Sequence, residues 1–396
     1  MNNNDSIVIT GIARTPIGGF QGVLSELSAP VLGSFAIRAA LERSGVPAEE
    51  IDEVLMGCVL PAGLGQAPAR QASLGAGIPN TAGCTTVNKM CGSGMKTTMM
   101  AHDALIAKTN EIMVAGGMES MTNAPYILQK VRSGQRLGHG EMIDHMFLDG
   151  LEDVYEKGTL MGVFAERTAK LYGFSREEQD EFAINSLTRA KNAIDDGSFK
   201  DEITPVSFSN RNGEKVVQED EQPLAVDLKK IPQLRPVFEK GGTVTAANSS
   251  SISDGAAAIV MMSESAAKRR SLVPLARILG HSSFAQSPDW FTTAPIGSIK
   301  ELFGKVGWES KDVDLFEINE AFATVTMAAM KDLDLPPSKV NIHGGACALG
   351  HPVGASGTRL LVTLISALRK YNKTRGVASL CIGGGEATAI AVEVLS

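Results

Sequence analysis

The sequence predicts an α/β fold built from two similar halves, with a helix-rich segment inserted in the first half. Three observations favour this architecture. Apolar runs of strand length alternate with segments of helical periodicity on both flanks of the chain. One stretch of the first flank recurs, with the same order of features, in the last third. Charged residues are concentrated between positions 120 and 245, whereas the flanks are rich in apolar and small residues.

The flanks supply the predicted sheet and its covering helices. Short apolar runs predict buried strands, and Pro30–Ser44 has helical periodicity, with its proline where a first helical turn tolerates one. Strands that alternate with helices indicate a mainly parallel sheet covered on both faces. The predicted strands are Ser6–Gly11, Val54–Leu60, Met113–Gly117, Ala256–Met262, Ala378–Ile382 and Ala389–Leu395.

The charged segment predicts an exposed insertion. Ser175 and Glu178 form a capping box, and the apolar pattern after them predicts a helix that ends at Gly197. Gly134–Gly140 and Phe208–Gly213 have the composition of loops. The predicted domains are an N-terminal half of residues 1–118 plus 246–270, an inserted loop domain of residues 119–245, and a C-terminal half of residues 271–396.

An internal repeat relates the two halves. Gly45–Leu55 aligns without a gap on Gly307–Glu317, and each stretch contains a helix end, a short acidic loop and the start of a strand. A Val-Asn pair, a helix start with glycine and serine, and a strand that runs into glycines then follow in each half. Two α/β units can look alike without common origin, but the shared order and spacing favour duplication.

Composition excludes several classes of protein. The chain has 396 residues, of which 43% are apolar and 20% charged, so it is a folded globular protein with a sizeable core. A net charge of −7 disfavours nucleic-acid partners, and no apolar run is long enough to span a membrane. Five cysteines without a Cys-x-x-Cys motif, and a start without a basic signal region, predict a cytoplasmic protein with free thiols.

The first candidate site surrounds Cys91. The residues from Ser93 onward are mostly small or apolar, so Cys91 lies at the predicted N-terminus of a buried helix, where the helix dipole favours a thiolate. Gly92 and Gly94 are expected to leave space above the sulfur. A single cysteine can also be a small buried apolar residue, but its glycine neighbours favour a reactive thiol.

The second candidate is His351, which lies in a glycine-rich loop between positions 344 and 357. Pro352 stiffens the turn, and such a loop presents an imidazole with little steric cover. Histidine is the side chain best matched to proton transfer near neutral pH, although a structural histidine is the alternative. Cys347 and His351 share helical spacing, but no further ligand cluster supports zinc, so we predict no metal site.

Two predicted strand ends supply the remaining candidates. Cys381 precedes Gly383 and two further glycines, whose N–H groups could form an oxyanion hole; the alternative is a tight turn with a buried thiol. Asn319 could hold a catalytic water or cap a helix. The absence of a Gly-x-Ser-x-Gly elbow disfavours a serine hydrolase, and no Gly-x-Gly-x-x-Gly follows the first strand to bind a dinucleotide.

In this combination and order, the motifs resemble those of the thiolase family, with the greatest likeness to acetyl-CoA acetyltransferases. The resemblance covers essentially the whole chain. It implies two βαβαβ-type halves that form a layered α/β/α/β/α core, and a homotetramer or homodimer. The matching motifs are Asn-x-x-Cys-Gly-Ser-Gly at 88–94, Asn-Glu-Ala-Phe at 319–322, Gly-Gly-Ala-x-x-x-Gly-His-Pro-x-Gly-x-Ser-Gly at 344–357 and Cys-x-Gly-Gly-Gly at 381–385.

The resemblance implies a reversible Claisen condensation of two acetyl-CoA molecules to acetoacetyl-CoA and CoA. Cys91 would carry the acetyl group, His351 would take the proton of Cys91, and Cys381 would exchange a proton with the substrate carbon. Asn319 would fix a water that completes one oxyanion hole with His351. The N–H groups of Cys91 and Gly383 would form the other. No cofactor is implied, because the thioester itself acidifies the α-carbon.

The loop domain would bind CoA, and three positions depart from the family pattern. Leu160 stands where many short-chain members have a histidine, and Glu386 where the family often has a further glycine. Phe291, after Trp290, would shape room for short or α-branched acyl groups. The residues implied to line the CoA path are Leu151, Met161, Arg235, Phe238, Ala246, Ser250, Ala321 and Phe322.

Three alternative functions share parts of this pattern. A broader-range 3-ketoacyl-CoA thiolase of fatty-acid degradation carries the same motifs. A β-ketoacyl synthase pairs one cysteine with two histidines, or with a histidine and an asparagine, whereas this chain offers Cys381 as a second thiol. A non-catalytic acyl-CoA-binding subunit would be favoured by loss of Cys91, His351 or Cys381, and all three are present.

Overall fold

The structure, a computed structural model, describes residues 5–211 and 213–395. Residues 1–4, from which the sequence analysis expects no signal region, lie outside the described residues. After two initial strands, the first flank folds as helices and strands in strict alternation. Its elements are β1 (Ile7–Arg14), β2 (Gly18–Gly19), α1 (Ala29–Ser44), β3 (Glu53–Gly57), α2 (Pro68–Gly75), β4 (Gly83–Val87), α3 (Ser93–Ile106) and β5 (Ile112–Ser120).

The inserted segment and the second flank follow. The insertion contains β6 (Tyr126–Leu128), β7 (Met142–Asp144), α4 (Met161–Tyr172), α5 (Arg176–Asp195), β8 (Val206–Asn210), β9 (Gly213–Val217) and α6 (Glu221–Ala225). The chain then forms β10 (Ser253–Ser263), α7 (Glu264–Arg269), β11 (Ala276–Ala285), α8 (Ala294–Val306), β12 (Leu315–Ile318), α9 (Ala323–Asp332), α10 (Ala346–Leu349), α11 (Val353–Lys370), β13 (Arg375–Ile382) and β14 (Glu386–Val394).

The main sheet runs in the order β12-β13-β14-β11-β1-β10-β5-β3-β4. Its two parts meet where β1 and β11 pair through Val8 with Arg277 and Ile9 with Ala276. Within the described residues, β3–β4, β3–β5 and β12–β13 are parallel, and the other pairs of this sheet are antiparallel. The prediction of a mainly parallel sheet is therefore wrong. Both faces of the sheet are covered, so its antiparallel strands are apolar on both sides and look like parallel strands in the sequence.

Five layers form the core, as predicted. Helices α1 and α2 cover one face of the first part of the sheet, and α8 and α9 cover one face of the second. Helices α3 and α11 lie between the two parts and contact strands of both. Because α11 is buried along nearly its whole length, the loops that precede the two central helices also lie deep in the molecule.

The predicted repeat is present in the backbone. Gly45 and Gly307 end α1 and α8 in the same left-handed conformation, each with a φ of 70°. A single helical turn and then a strand, β3 or β12, follow each glycine. The two flanks are thus copies of one structural unit.

The inserted segment is anchored to the core by buried charges. Arg14 of β1 donates hydrogen bonds to Glu202 at 2.6 Å and to Asp220 at 2.7 Å, and all three side chains are fully buried. The predicted capping box at Ser175 is present at the start of α5. The loop predicted at Phe208–Gly213 is wrong, because β8 and β9 form an antiparallel hairpin there.

The domain limits predicted from the sequence stay a prediction. Among the described residues, no helix combines the length and the apolar character that a membrane crossing requires.

Candidate active site

Cys91 lies in a tightly held loop between β4 and the start of α3. Asn88 accepts a hydrogen bond from the N–H of Met90 at 2.9 Å, and the Ser93 hydroxyl accepts one from the N–H of Lys89 at 2.9 Å. Met90 has a φ of 48°, which a non-glycine residue adopts only where its surroundings enforce it. The helix begins at Ser93, so the predicted position of Cys91 at a helix N-terminus is confirmed.

The glycines around Cys91 have a different role from the predicted one. A Cβ atom on Gly92 would collide with Ile382, and one on Gly94 would lie 2.9 Å from the main-chain oxygen of Gly354. The space above these glycines is therefore filled by the second half of the molecule. Their lack of a side chain lets the start of α3 approach the segments that carry His351 and Cys381.

His351 is fixed by hydrogen bonds on both ring nitrogens. Its Nδ1 lies 2.6 Å from the hydroxyl of Ser356, and that hydroxyl donates to the main-chain oxygen of Pro352 at 3.0 Å. The hydroxyl must accept from the imidazole, so Nδ1 carries the proton and the lone pair of Nε2 is an acceptor. Burial, and then the positive charge of Arg359, lowers the pKa of His351 to about 3. The imidazole is therefore neutral at physiological pH and can accept a proton.

Asn319 lies directly against this lone pair. Its amide nitrogen is 3.4 Å from Nε2 of His351, at the end of β12. The amide oxygen accepts from Arg359 at 3.5 Å, and Arg359 forms a buried ion pair with Glu317 at 3.2 Å. Arg359 thus orients the amide so that its N–H groups face the histidine.

Cys381 is buried at the end of β13, next to a turn made of glycines. Gly384 and Gly385 have φ values of 94° and 90°, a conformation that side chains disfavour, and the turn leads into β14. The N–H groups of Gly383 and of Cys91 itself lie close enough to the Cys91 sulfur to act against the rise in the pKa of its thiol. The tight turn and the oxyanion hole, which the sequence offered as alternatives, are compatible in one segment.

Both thiols are protonated at rest. Burial raises the pKa of the Cys91 thiol, and the N–H groups of Gly383 and Cys91 oppose that rise only in part. Burial, and then the repulsion that a Cys91 thiolate would exert, raises the pKa of Cys381 well above its usual range. The backbone N–H groups do favour the thiolate, as expected, but desolvation outweighs them.

Sequence reasoning missed the role of Glu119, at the end of β5. Its buried carboxylate accepts hydrogen bonds from the N–H groups of Val59 at 2.9 Å, Leu60 at 3.1 Å and Gly354 at 2.9 Å. Burial raises the pKa of Glu119 to about 7, and its negative charge in turn raises the pKa of Cys91. Glu119 was not singled out, because the atoms that it binds lie far away in the chain.

Ser356, Arg359 and Glu317 were also given no role by the sequence. Ser356 stands inside the glycine-rich motif, five residues after His351. Arg359 follows it on α11, and Glu317 precedes Asn319 by two positions on β12, which places both side chains on one face of the strand. That spacing was a usable signal for Glu317, whereas its pairing with Arg359 was not.

The structure brings most of the predicted CoA-path residues to the two cysteines. Leu151 packs in the apolar cluster that includes Cys91, and four others pack with Cys381: Met161, Phe238, Ala321 and Phe322. The N–H of Ser250 donates to the main-chain oxygen of Ala321 at 2.9 Å. Arg235 and Ala246 are both exposed, and neither belongs to the apolar clusters that contain the two cysteines.

The three departures from the family pattern have distinct surroundings. Phe291 is buried in the cluster of Cys381, with its ring edge-on to Phe164. Leu160 precedes α4, whose first residue is Met161. Glu386 forms an ion pair with Lys89, so it joins the strand after the glycine turn to the loop of Cys91.

Comparison with known proteins agrees with this geometry. Residues 7–265 match the model of the thiolase N-terminal domain, and residues 272–394 match that of the thiolase C-terminal domain. Acetyl-CoA acetyltransferase 2 of Arabidopsis thaliana is 50% identical, with 99% of this chain and 98% of that protein covered. An acetyl-CoA acetyltransferase of Cupriavidus necator is 46% identical, with 98% and 99% covered.

Solved structures show the same fold. The acetyl-CoA acetyltransferase of Bacillus anthracis superposes with a TM-score of 0.97 at 41% identity, and all of both chains is covered. A thiolase of Ascaris suum in complex with coenzyme A gives a TM-score of 0.93 at 41% identity, with 98% of this chain and 100% of that chain covered. The predicted fold and family are confirmed: the chain belongs to the thiolase family.

Proposed function

We propose that this protein is an acetyl-CoA C-acetyltransferase that works through an acetyl group carried on Cys91. The predicted acetyltransferase function is supported by relatives of that name at 46–50% identity over the full chain. The observation that carries the assignment of residues is the close packing of the Cys91 loop against the segments of His351 and Cys381. A Cβ atom on Gly92 would collide with Ile382, and one on Gly94 would lie 2.9 Å from the main-chain oxygen of Gly354. A neutral His351 and a second protonated thiol, Cys381, complete the set.

Thiolysis begins with proton transfer between residues of this set. Nε2 of His351 takes the proton of Cys91, and the sulfur attacks the ketone carbon of acetoacetyl-CoA. The carbon–carbon bond breaks, which leaves the acetyl group on Cys91 and a carbanion on the departing acetyl-CoA. The carbanion takes the proton of Cys381. The protonated resting state of Cys381 is the state that this step requires.

The second step restores the enzyme. A molecule of CoA gives its thiol proton to the Cys381 thiolate and attacks the acetyl group. Cys91 leaves as a thiolate and recovers its proton from His351. Condensation of two acetyl-CoA molecules is the same sequence in reverse, since one set of groups serves both directions.

Oxyanion stabilisation is assigned to two places. The N–H groups of Cys91 and Gly383 would bind the oxygen of the acetyl thioester. Asn319, with its amide held by Arg359, would fix a water that acts with His351 on the oxygen of the second substrate. Removal of one such donor typically lowers the rate about 10²–10³-fold.

CoA would approach along the inserted segment, past Leu151, Met161, Phe238, Ser250, Ala321 and Phe322. The aromatic rings of Phe238 and Phe322 stand edge to face, with centroids 6.0 Å apart, and form an apolar wall next to Cys381. Arg235 and Ala246 would contact the nucleotide end of CoA, because both are exposed. Phe291, buried beside Cys381, would shape room for short or α-branched acyl groups, and turnover of 2-methylacetoacetyl-CoA beside acetoacetyl-CoA would test the branched case.

The proposal includes no metal or redox cofactor, so exhaustive dialysis against a chelator should leave thiolysis unchanged. We further propose a cytoplasmic homotetramer or homodimer. The described cysteines are all free, as a reducing compartment requires, although a rat relative at 48% identity is named mitochondrial. Light scattering after gel filtration and cell fractionation would test both points.

The direct test is thiolysis of acetoacetyl-CoA by the Cys91→Ser and Cys381→Ser variants, with Cys84→Ser as the control thiol. We expect both active-site variants to lose thiolysis and the control to keep it. Cys381→Ser should still accept an acetyl group from acetyl-CoA, because a CoA thiolate leaves more readily than a carbanion. Full activity of Cys91→Ser would refute the proposed function.

A further inference from the structure

Two histidines and an aspartate from different halves meet at the far end of α3. His102 and Asp103 belong to this helix, and His281 belongs to β11. Oδ1 of Asp103 lies 2.8 Å from Nε2 of His281 and 3.3 Å from Nδ1 of His102. The potential ligand atoms of all three residues lie within 4.8 Å of one another. Sequence analysis could not see this cluster, because His281 is far from the other two in the chain.

Of the three side chains in the cluster, only that of Asp103 is mostly exposed to solvent. The side chains of His102 and His281 are 16% and 18% exposed, whereas that of Asp103 is 61% exposed. The two imidazole rings stand perpendicular, at an interplanar angle of 89°, with centroids 5.2 Å apart. Two half-buried imidazole rings and an exposed carboxylate thus form a site that a small cation can enter from solvent.

The charges around the cluster permit a cation. The ammonium group of Lys305 donates to the main-chain oxygen of His281 at 3.0 Å, so its charge is directed at the backbone of β11. The Asp103 carboxylate faces both ring nitrogens. Two imidazole nitrogens and one carboxylate oxygen are ligands for zinc and neighbouring transition metals, whereas magnesium and calcium prefer oxygen ligands alone.

We propose that His102, Asp103 and His281 bind a divalent transition-metal ion of the zinc class, with water in the remaining coordination positions. Ligand distances of about 2.0–2.2 Å require the donor atoms to close by about 1 Å from their widest separation. The exposed carboxylate and the side chain of His102 can make that adjustment by rotation about their side-chain bonds. In the absence of metal, Asp103 satisfies both imidazoles by hydrogen bonding.

The site is separate from the reaction centre. His102 lies nine residues after Ser93, which places it about 14 Å along α3 from the helix start that follows Cys91. Its ligands come from a central helix of the first half and a strand of the second. Binding therefore stabilises the contact between the halves, because an ion that binds only the folded protein shifts the unfolding equilibrium. It leaves the proposed chemistry unchanged.

Cobalt(II) is the best probe, because its absorption spectrum separates nitrogen and oxygen ligands from thiolates. We would titrate the metal-free full chain, the His102→Gln and His281→Gln variants, and His139→Gln, which removes an exposed histidine elsewhere. We expect the full chain and His139→Gln to bind one ion per chain without a thiolate band and to melt at higher temperature with the ion. Each cluster variant should bind at least tenfold more weakly.

Asp103→Asn is a variant whose loss of binding could not be attributed to misfolding, since this exposed side chain can lose its charge without disturbing the core. It should also weaken binding at least tenfold and keep normal thiolysis. Equal cobalt affinity in the full chain and in these variants would overturn the proposal, as would a thiolate band at the first equivalent. Failure of the proposed function in thiolysis assays would leave this result untouched, because the readout is metal binding.

Discussion

The two halves of the molecule share one arrangement of strands and helices but place different chemistry at the start of their central helices. The loop before α3 carries Cys91, and the loop before α11 carries His351. Each loop is entered through an asparagine, Asn88 or Asn341, and contains a non-glycine residue with a φ of 48° or 47°. Duplication thus supplies a scaffold in which two helix starts meet, and the different loops place the proposed nucleophile in one half and the proposed base in the other.

The strands that follow the central helices differ in the same way. Strand β5 ends in Glu119, which accepts hydrogen bonds from backbone N–H groups of both halves. Strand β13 ends in Cys381 and a glycine turn whose first N–H points at Cys91. In the proposed mechanism, the first half therefore fixes the position of the loops. The second half supplies the proton of Cys381 and the N–H of Gly383, which is one of the two oxyanion donors beside Cys91. Variants at four sites test this division of work.

The largest effect is expected at the base. His351→Gln removes the lone pair that accepts the Cys91 proton, and thiolysis should fall about 10²–10⁴-fold. Ser356→Ala is the matched control for positioning, because it removes only the partner that fixes the tautomer. Its loss should be smaller and should appear in kcat rather than in KM. Equal losses in the two variants would show that the histidine is structural.

The next effect is expected at the amide beside the base. Asn319→Ala removes the group that faces Nε2 of His351, and kcat should fall about 10²–10³-fold. Acetylation of Cys91 by acetyl-CoA should fall less than condensation, since the assigned oxyanion is that of the second substrate. A KM change with unchanged kcat would place Asn319 in substrate binding only.

A shift in pH dependence is expected from Glu119→Gln. The ionised carboxylate raises the pKa of Cys91, so the neutral amide should lower it and move the alkylation of Cys91 by iodoacetamide to lower pH. Glu141→Gln, an exposed carboxylate on the inserted segment, is the control. An unchanged profile in Glu119→Gln would mean that its charge does not reach the sulfur.

Burial of Glu119 also predicts the pH dependence of stability. Its pKa is raised in the folded state, to about 7, so its contribution to stability is fully present below the unfolded-state pKa and is lost as pH rises through about 7. The free energy of unfolding of Glu119→Gln should depend less on pH between about 4.5 and 7. Urea unfolding across that range provides the measurement.

The smallest effect is expected at the Lys89–Glu386 ion pair. Its side chains are 24% and 38% exposed, and such pairs contribute about 0.2–1 kcal/mol. Lys89→Met and Glu386→Gln should each lower kcat less than tenfold, and the double variant should be no worse than either single variant. Additive losses would show that the two residues act separately on the loop of Cys91.

Much of this account could be predicted from the sequence, and the failures have physical causes. The repeat and the five layers follow from local periodicity and glycine position, which act over short stretches. Strand direction at β10 and β14 could not be predicted, because burial on both faces removes the alternation that marks antiparallel strands. The candidate thiols and histidine were found by motif. The motifs did not predict the protonation of Cys91, since its pKa depends on desolvation by residues distant in the chain.

The hydrogen-bond and ion-pair partners of Glu119 and Arg359 could not be predicted for the same reason. Each side chain stands in a recognisable segment, but the atoms that it binds come from another part of the chain. Ser356 lies within the predicted motif, but its role depends on a tertiary contact in which its hydroxyl fixes the His351 tautomer. Local sequence thus indicates which residues are special, and tertiary contacts decide what they do.

The most direct test of the central claim is to locate the acetyl group after the enzyme reacts with labelled acetyl-CoA. Rapid acid quenching, proteolysis and mass spectrometry should find the label on Cys91, and free CoA added before the quench should remove it. The label should also form on the Cys381→Ser variant. A label on Cys381, Cys58 or Cys84 instead of Cys91, or a label that CoA cannot remove, would contradict the account.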